Sequence, residues 1–391
     1  MLKQVTVGHV VLRYGALSES FIPDALEALE SAGASNYVTT LAVDNRATYP
    51  YPPAERLIVC PEPPTLMRVL HRLQGRRGNE RFAATAASEL RPHEPQIVHG
   101  QFGWGGASAV PVARRLDVPS VVTFHGSDVT MIPIRSDAPA NGWRGPRGHS
   151  YEQFFGQLDL AFVVSSFIER RVRELGFAGR TEIVPAGVSL ERLRYRERQP
   201  PDDDGLRILY LGRLTPQKGL SVLLDAMPRV LAAVPGTQLD VIGGGPLDRA
   251  LRKQAQRLGI GDAVAFHGPL PRREDVVEVM RHAHVQVVPS RAMPNGQAEG
   301  SPVVTKEAQA AGVPLVATDS GGLIDTLPPE HRGDIVPSDD SATLAERIIA
   351  LLADPAARQQ RAEIARAWVE REFDQVRLAE KTISLYEQAL K

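Results

Sequence analysis

The 391-residue chain carries 45 Lys and Arg against 46 Asp and Glu, a net charge of −1, with 43% hydrophobic and 23% charged residues. That balance excludes bulk electrostatic binding of nucleic acid, and the length predicts two domains rather than one core. A single cysteine, Cys60, excludes an intrachain disulfide and a cysteine-rich zinc site.

The N-terminal stretch Val5–Leu12, interrupted by His9 and closed by Arg13, reads as a first strand, not a signal peptide. No run of about 18 apolar residues follows, so the chain is expected to be soluble and cytoplasmic. Further strands are predicted at Tyr37–Val43, Arg56–Cys60, Gln96–His99, Ser120–Phe124, Leu160–Val164 and Glu182–Val184. A first helix from about Ser20 places Ile22, Ala25, Leu26 and Leu29 on one face. The segment Arg194–Gly205, with two prolines and three aspartates, reads as a linker. A second series of strands is predicted at Leu206–Leu211, Gln238–Ile242, Ala263–Phe266, Val285–Val288, Leu315–Thr318 and Asp334–Val336. Strands alternating with helices imply right-handed crossovers and parallel sheets. The predicted organisation is therefore an α/β chain of two Rossmann-like domains, 1–195 and 206–372, with a last helix, 373–391, that packs on the second domain or crosses back to the first. Trp368–Lys391 reads as helical throughout. Open parallel sheets bind ligands at the carboxyl ends of their strands, so a cleft between two facing sheets is the expected site.

Several strand ends carry chemistry. Tyr14-Gly15-Ala16-Leu17-Ser18-Glu19-Ser20 joins the first strand to the first helix, whose amides could receive a phosphate; an ordinary capped loop accounts for it equally. His125, in Thr123-Phe124-His125-Gly126-Ser127-Asp128, lies just past a strand, where a structural and a functional histidine weigh alike. Gly212-Arg213-Leu214-Thr215-Pro216-Gln217-Lys218-Gly219 brings a guanidinium and an ammonium to another strand end, as a departing diphosphate requires. Gly243-Gly244-Gly245-Pro246 is either a nucleotide-proximal loop or a plain strand-to-helix turn. Asp202-Asp203-Asp204 lies beside linker prolines, and no metal site is expected there.

The most informative block is Ala298 to Gly312, which holds Glu299 and Glu307 eight residues apart. Ser301 is predicted as the N-cap of a helix, Pro302 as its first residue and Gly312 as its end. Glu299 then falls on a loop and Glu307 about two turns into the helix. Two carboxylates around a helix start suit a ligand bearing both hydroxyls and phosphate. Elsewhere, Leu66 to Arg81 mixes five arginines with apolar residues. It reads as a solvated helix face, with peripheral contact to anionic lipid through 66–81 as the alternative.

Together these segments resemble the retaining glycosyltransferases of family 4, which have the GT-B fold, and in particular their polysaccharide and lipopolysaccharide branch. The resemblance runs nearly end to end: Ser18-Glu19-Ser20-Phe21-Ile22, His99-Gly100-Gln101-Phe102-Gly103, Phe124 to Asp128, Pro185-Ala186-Gly187-Val188, Gly212-Arg213 to Lys218-Gly219, Gly243 to Leu247, Val288-Pro289-Ser290, and Glu299 to Glu307. It implies that Arg213 and Lys218 hold the diphosphate of a nucleotide-sugar donor and that Glu307 binds the ribose hydroxyls. Glu299 would contact the sugar beneath its anomeric carbon, and His125 would reach the sugar near its C6 hydroxyl. Gly15 and Gly244 would lie by the phosphates, and the amides of Gly300, Ser301, Pro302, Val303 and Val304 would form the anion site (proline lending only its place in the turn). No cofactor or divalent metal is implied, because the two basic side chains take that electrostatic role. The acceptor would be a sugar, a lipid-linked molecule or another small molecule, bound by first-domain loops such as Arg135–Ser150. Two departures stand out: Gly321-Gly322 is followed by Leu323-Ile324-Asp325 where some relatives carry a glutamate, and Gln309 replaces a frequent methionine. A sugar phosphorylase, a nucleotide-sugar epimerase and a non-catalytic nucleotide-sugar or glycan binder are the competing readings. A dehydrogenase fits poorly, since no G-x-G-x-x-G turn follows the first strand.

Overall fold

A computed structural model describes residues 5–16, 19–60, 78–131, 151–195, 205–270 and 272–391. Ser18, Asp202-Asp203-Asp204, 135–150 and most of 66–81 lie outside the described residues. The chain divides into two compact units, Met1–Gly187 with Gln375–Lys391, and Val188–Asp374.

The first unit contains β1 (Thr6–Val10), β2 (Arg13–Tyr14), β3 (Ser35–Thr40), β4 (Ala42–Val43), β5 (Leu57–Val59), β6 (Ile97–Gln101), β7 (Ser120–Phe124), β8 (Leu160–Val163) and β9 (Arg180–Ile183). Its main sheet runs β5-β3-β1-β6-β7-β8-β9, every pairing parallel. The central strands are apolar on both faces because helices cover both. The Phe21–Ser31 and Gln375–Ala389 helices bring Leu29, Ala379, Ile383 and Tyr386 onto a core with Val7, Ile97 and Phe162. On the other face Phe82, Ala86 and Leu90 of the Gly78–Leu90 helix join Val98, Ala109 and Val112. One polar stitch runs through this core: His99 Nδ1 lies 2.6 Å from the Tyr386 hydroxyl and Nε2 2.7 Å from Thr123 Oγ1. Burial holds the His99 imidazole well below its ordinary pKa, so the ring is neutral.

The second unit contains β10 (Arg207–Leu211), β11 (Gln238–Ile242), β12 (Val264–Gly268), β13 (Val285–Val288) and β14 (Leu315–Ala317), ordered β12-β11-β10-β13-β14 and all parallel. This is the doubly wound arrangement. Strand order reverses between β10 and β13, which opens a crevice at their carboxyl ends. In the first unit the same reversal falls between β1 and β6. Each sheet thus makes its own site geometry.

Two expectations about elements are corrected. Asp334–Val336 is not a strand: a 3₁₀ segment occupies Pro329–Asp334, and only a single bridge joins Val336 to Thr318. Trp368–Lys391 is not one helix either, because Trp368 lies inside the Pro355–Glu372 helix, which ends at Glu372, and a second helix starts at Gln375. Between them Phe373 and Asp374 leave helical geometry, where Val188 N–H donates to the Phe373 carbonyl at 2.8 Å.

Candidate functional site

At the β10/β13 reversal the backbone itself brings the charges together. The Arg291 N–H donates to the Gln217 carbonyl at 2.7 Å, tying the loop after β13 to the loop after β10. Gly219 has φ +67, and a Cβ there would lie 1.7 Å from the Pro289 carbonyl oxygen. Glycine is required for that approach as well as for the left-handed turn. Lys218 is thereby carried next to the end of β13. Its Nζ donates to Glu299 Oε1 at 2.7 Å, and Ser290 Oγ donates to the same oxygen at 2.7 Å. The loop after β14 completes the frame: Thr318 Oγ1 donates to the Ser290 carbonyl at 2.5 Å, and Gly322 N–H to the Glu299 carbonyl at 2.8 Å.

Glu299 is 6% exposed, so its charge depends on these partners. A half-buried ammonium against a buried carboxylate forms an ion pair whose charges offset each other. A phosphate can draw Lys218, and a hydroxyl can donate to the freed Glu299. Arg213, by contrast, is exposed, and its guanidinium makes no ion pair among the described residues. Its carbonyl accepts from the Tyr210 hydroxyl at 3.0 Å.

The three glycines after β11 separate into two kinds. A Cβ at Gly243 would meet the Gly212 carbonyl at 1.9 Å, and one at Gly245 the Leu214 carbonyl at 2.5 Å. Both are small because the β10 and β11 loops touch, with Leu214 N–H donating to the Gly244 carbonyl at 2.9 Å. A Cβ at Gly244 would make only an ordinary 3.5 Å contact with Pro269. Packing explains Gly243 and Gly245 but leaves Gly244 free for the approach of something larger. Gly15 belongs to the first kind: φ is +83, and the Asp44 carbonyl would lie 2.1 Å from its Cβ.

The helix after Glu299 starts later than its sequence suggests. It spans Val303–Ala311, with Pro302 at the N-cap position in extended geometry and no side-chain cap. Ser301 is not the cap, because its hydroxyl is instead 3.1 Å from Lys306 Nζ. Val303 and Val304 form the uncapped first turn, and Gly312 closes the helix in left-handed conformation, φ 82. Glu307 is half-buried and is the fifth helical residue, a little over one turn in, not two. Lys306 is wholly buried, with Nζ 5.0 Å from the centre of the Phe373 ring, and burial lowers its pKa to about 7 against the opposing pull of Glu307. Gln309 donates its amide to the Thr305 and Thr326 carbonyls at 2.9 and 3.0 Å.

The first unit's candidate residue, His125, follows β7. Its Nε2 lies 2.8 Å from Gln101 Oε1, and its ring is 4.9 Å from Phe21 and 4.5 Å from Phe102. Asp128 builds this turn. Its carboxylate accepts from Gly126 N–H at 2.7 Å, Gly103 N–H at 2.8 Å and His125 N–H at 3.2 Å. Desolvation outweighs these bonds and raises the Asp128 pKa to about 6. Phe102 is held at φ 62, a costly conformation for a bulky residue, and its ring stacks on Trp104 at 5.0 Å.

Ser290 and Gln101, the direct partners of Glu299 and His125, carry no chemical alarm in the sequence. The available signal is their position: each lies within two residues of the end of a strand bordering a reversal point. No group of three or more His, Cys, Asp or Glu among the described residues is placed to hold a metal. No described helix is long and apolar enough to cross a membrane.

Comparison with known proteins bears on both units. Residues 191–368 match the family Glycosyl transferases group 1, and residues 19–192 match Glycosyltransferase Family 4. The glycogen synthase of Mycobacterium tuberculosis is 30% identical over 299 residues, 76% of this chain and 69% of that protein. The amylovoran biosynthesis glycosyltransferase AmsK of Erwinia amylovora is 28% identical over 297 residues, 75% of this chain and 70% of its own. In architecture, Anabaena HepE in complex with UDP-glucose superposes with a TM-score of 0.74 at 18% identity, over 99% of this chain and 100% of that one.

Proposed function

This chain belongs to glycosyltransferase family 4, with the GT-B fold, and we propose that it moves a sugar from a nucleotide diphosphate-sugar to an acceptor hydroxyl with the anomeric configuration kept. The product class this reading favours is a polysaccharide or other glycoconjugate, as the names of its relatives suggest. The observation that carries the reading is the Lys218–Glu299–Ser290 cluster at a sheet reversal point. It offers a cation for phosphate and a buried carboxylate for hydroxyls within one hydrogen-bonded unit.

In the proposed reaction the bond from the anomeric carbon to the phosphate oxygen breaks, and a bond from that carbon to the acceptor oxygen forms on the same face. The acceptor proton passes to the departing phosphate oxygen. Lys218, released from Glu299, and Arg213 neutralise the charge that builds on the diphosphate. Glu299, still held by Ser290, orients the sugar hydroxyls and faces the oxocarbenium-like state. Glu307 takes the ribose hydroxyls, and the uncapped turn from Gly300 to Val304 supplies amides to the phosphates. Gly244 gives the nucleotide room to approach. His125 holds the sugar near its C6 hydroxyl. Two cationic side chains make a divalent metal unnecessary in this scheme.

The test is incubation with UDP-, GDP-, ADP- and TDP-sugars in EDTA, following nucleotide diphosphate release by chromatography. Release from one donor class, lost in Glu299→Ala and Arg213→Ala, is the expected result. Release that requires added metal, or that survives both substitutions within a few fold, overturns the corresponding part of the scheme. Donor binding with no turnover over a broad acceptor panel would instead mark a binding protein.

A further inference from the structure

A second cavity lies wholly inside the first unit, between the Phe21–Ser31 and Gln375–Ala389 helices and the carboxyl ends of β6, β7 and β8. It encloses about 80 Å³, several times the roughly 10–15 Å³ a single water needs. Its walls are apolar: Phe21, Ile22, Leu26 and Leu29 on one side, Phe162 and Leu378 on others. Its polar groups sit on β6, at and just past the end of β7, and on the Gln375–Ala389 helix, and none of its lining residues is an Asp, Glu, Lys or Arg. His99 is neutral and already engaged by Thr123 and Tyr386. His125 Nε2 and Gln101 Oε1 satisfy one another, which leaves the Gln101 amide nitrogen as a donor with no partner among the described residues. Gln375 Oε1 is a buried acceptor in the same position.

From this arrangement we infer that the cavity is an aglycone pocket: it takes the uncharged, apolar end of the acceptor, whose hydroxyl-bearing end lies at Gln101, beside the His125 that the scheme gives to the donor sugar. This inference rests on the transferase reading above and narrows its acceptor class. The physical reasons are three. A wall of aliphatic and aromatic side chains gains free energy only from apolar surface. A buried acceptor left without a partner, Gln375 Oε1, costs free energy until a neutral hydrogen-bond donor satisfies it. A charged group placed here would meet no counter-ion and would have to shed its hydration. A phosphate or carboxylate next to the acceptor's apolar end is therefore disfavoured, whereas an alkyl or aryl glycoside is suited. The apolar walls suit the alkyl or aryl part, so the sugar itself stays at the polar end.

Titration calorimetry of the full chain with paired methyl and hexyl glucosides, galactosides and mannosides decides the point, with no turnover needed. At least one hexyl glycoside is expected to bind about ten-fold or more tightly than its methyl partner, the equivalent of about two buried methylenes. Ala25 is exposed at the mouth of the cavity, so Ala25→Trp fills it without disturbing the core. In that variant the hexyl advantage is expected to vanish while the melting temperature holds. Equal affinity within every pair, no binding of any hexyl glycoside, or an advantage that survives Ala25→Trp overturns the pocket. Absence of nucleotide diphosphate release from every donor would sink the transferase reading instead, and it leaves the calorimetric answer standing.

Discussion

The two units use one topological device for different chemistry. Each parallel sheet reverses its strand order once, between β1 and β6 or between β10 and β13, and each reversal collects the loops that carry the candidate residues. In the second unit those loops deliver an ammonium, a buried carboxylate and an uncapped helix start. In the first they deliver an imidazole bonded to a neutral amide among aromatic rings, beside an uncharged cavity. The same backbone thus makes an electrostatic crevice in one unit and a desolvated, hydrogen-bonding one in the other. The side chains at three or four strand ends decide which.

If that contrast is right, removing a charge from the second unit costs far more than removing a neutral group from the first. Glu299→Ala is expected to lower turnover on the order of 10²–10³, as losing a preorganised charge contact does. Gln101→Ala removes one neutral hydrogen bond and should cost about ten-fold or less. Equal losses in steady-state assays would erase the distinction. The glycines sharpen it at the level of the fold. Gly219→Ala drives a Cβ into the Pro289 carbonyl and is expected to destabilise by about 3 kcal/mol or more in denaturant unfolding. Gly244→Ala should leave stability within about 1 kcal/mol and show its effect in donor KM. A Gly244→Ala protein with unchanged donor KM would return that glycine to the status of a plain turn.

The two units also differ in pH dependence, which has opposite signs in them. Asp128 has a folded pKa of about 6, above the ordinary carboxylate range, so its contribution to stability is present below that range and is lost as pH rises through 6. Lys306 has a folded pKa of about 7, below its ordinary value. Its contribution is complete above the ordinary lysine range and is lost as pH falls through 7. Melting temperatures measured from pH 4 to 10 should therefore flatten at the acid end in Asp128→Asn and at the alkaline end in Lys306→Met. A slope that survives either substitution removes that residue from the account.

How much of this could be read from the residues follows a physical line. Strands buried on both faces, such as Ser120–Phe124 and Val285–Val288, announce themselves as short apolar runs. Glu299 and Lys218 are legible because charge beside glycine at a strand end is rarely decorative. The start of the Val303–Ala311 helix misleads because Ser301 and Pro302 have the right chemistry for a cap and a first residue. Its hydroxyl is claimed by Lys306, a contact five residues away that local propensity does not contain. The break at Phe373 is hidden for a similar reason: its residues suit a helix, and a pairing with the distant Val188 overrides them. Ser290, Gln101 and the cavity wall involve ordinary residue types whose meaning comes only from what the fold places opposite them.

The return of the Gln375–Ala389 helix to the first unit also sets an order of assembly. The second unit is a single continuous segment, Val188–Asp374, whereas the first is closed only by residues made after it. During synthesis residues 1–187 must wait, with the sheet face around Ile97 and Phe162 uncovered and His99 still lacking Tyr386, until the Gln375–Ala389 helix emerges. A nascent chain stopped at Asp374 is accordingly expected to give a protease-resistant second unit and a digestible first one. Of the two units, the one translated earlier would then be finished later.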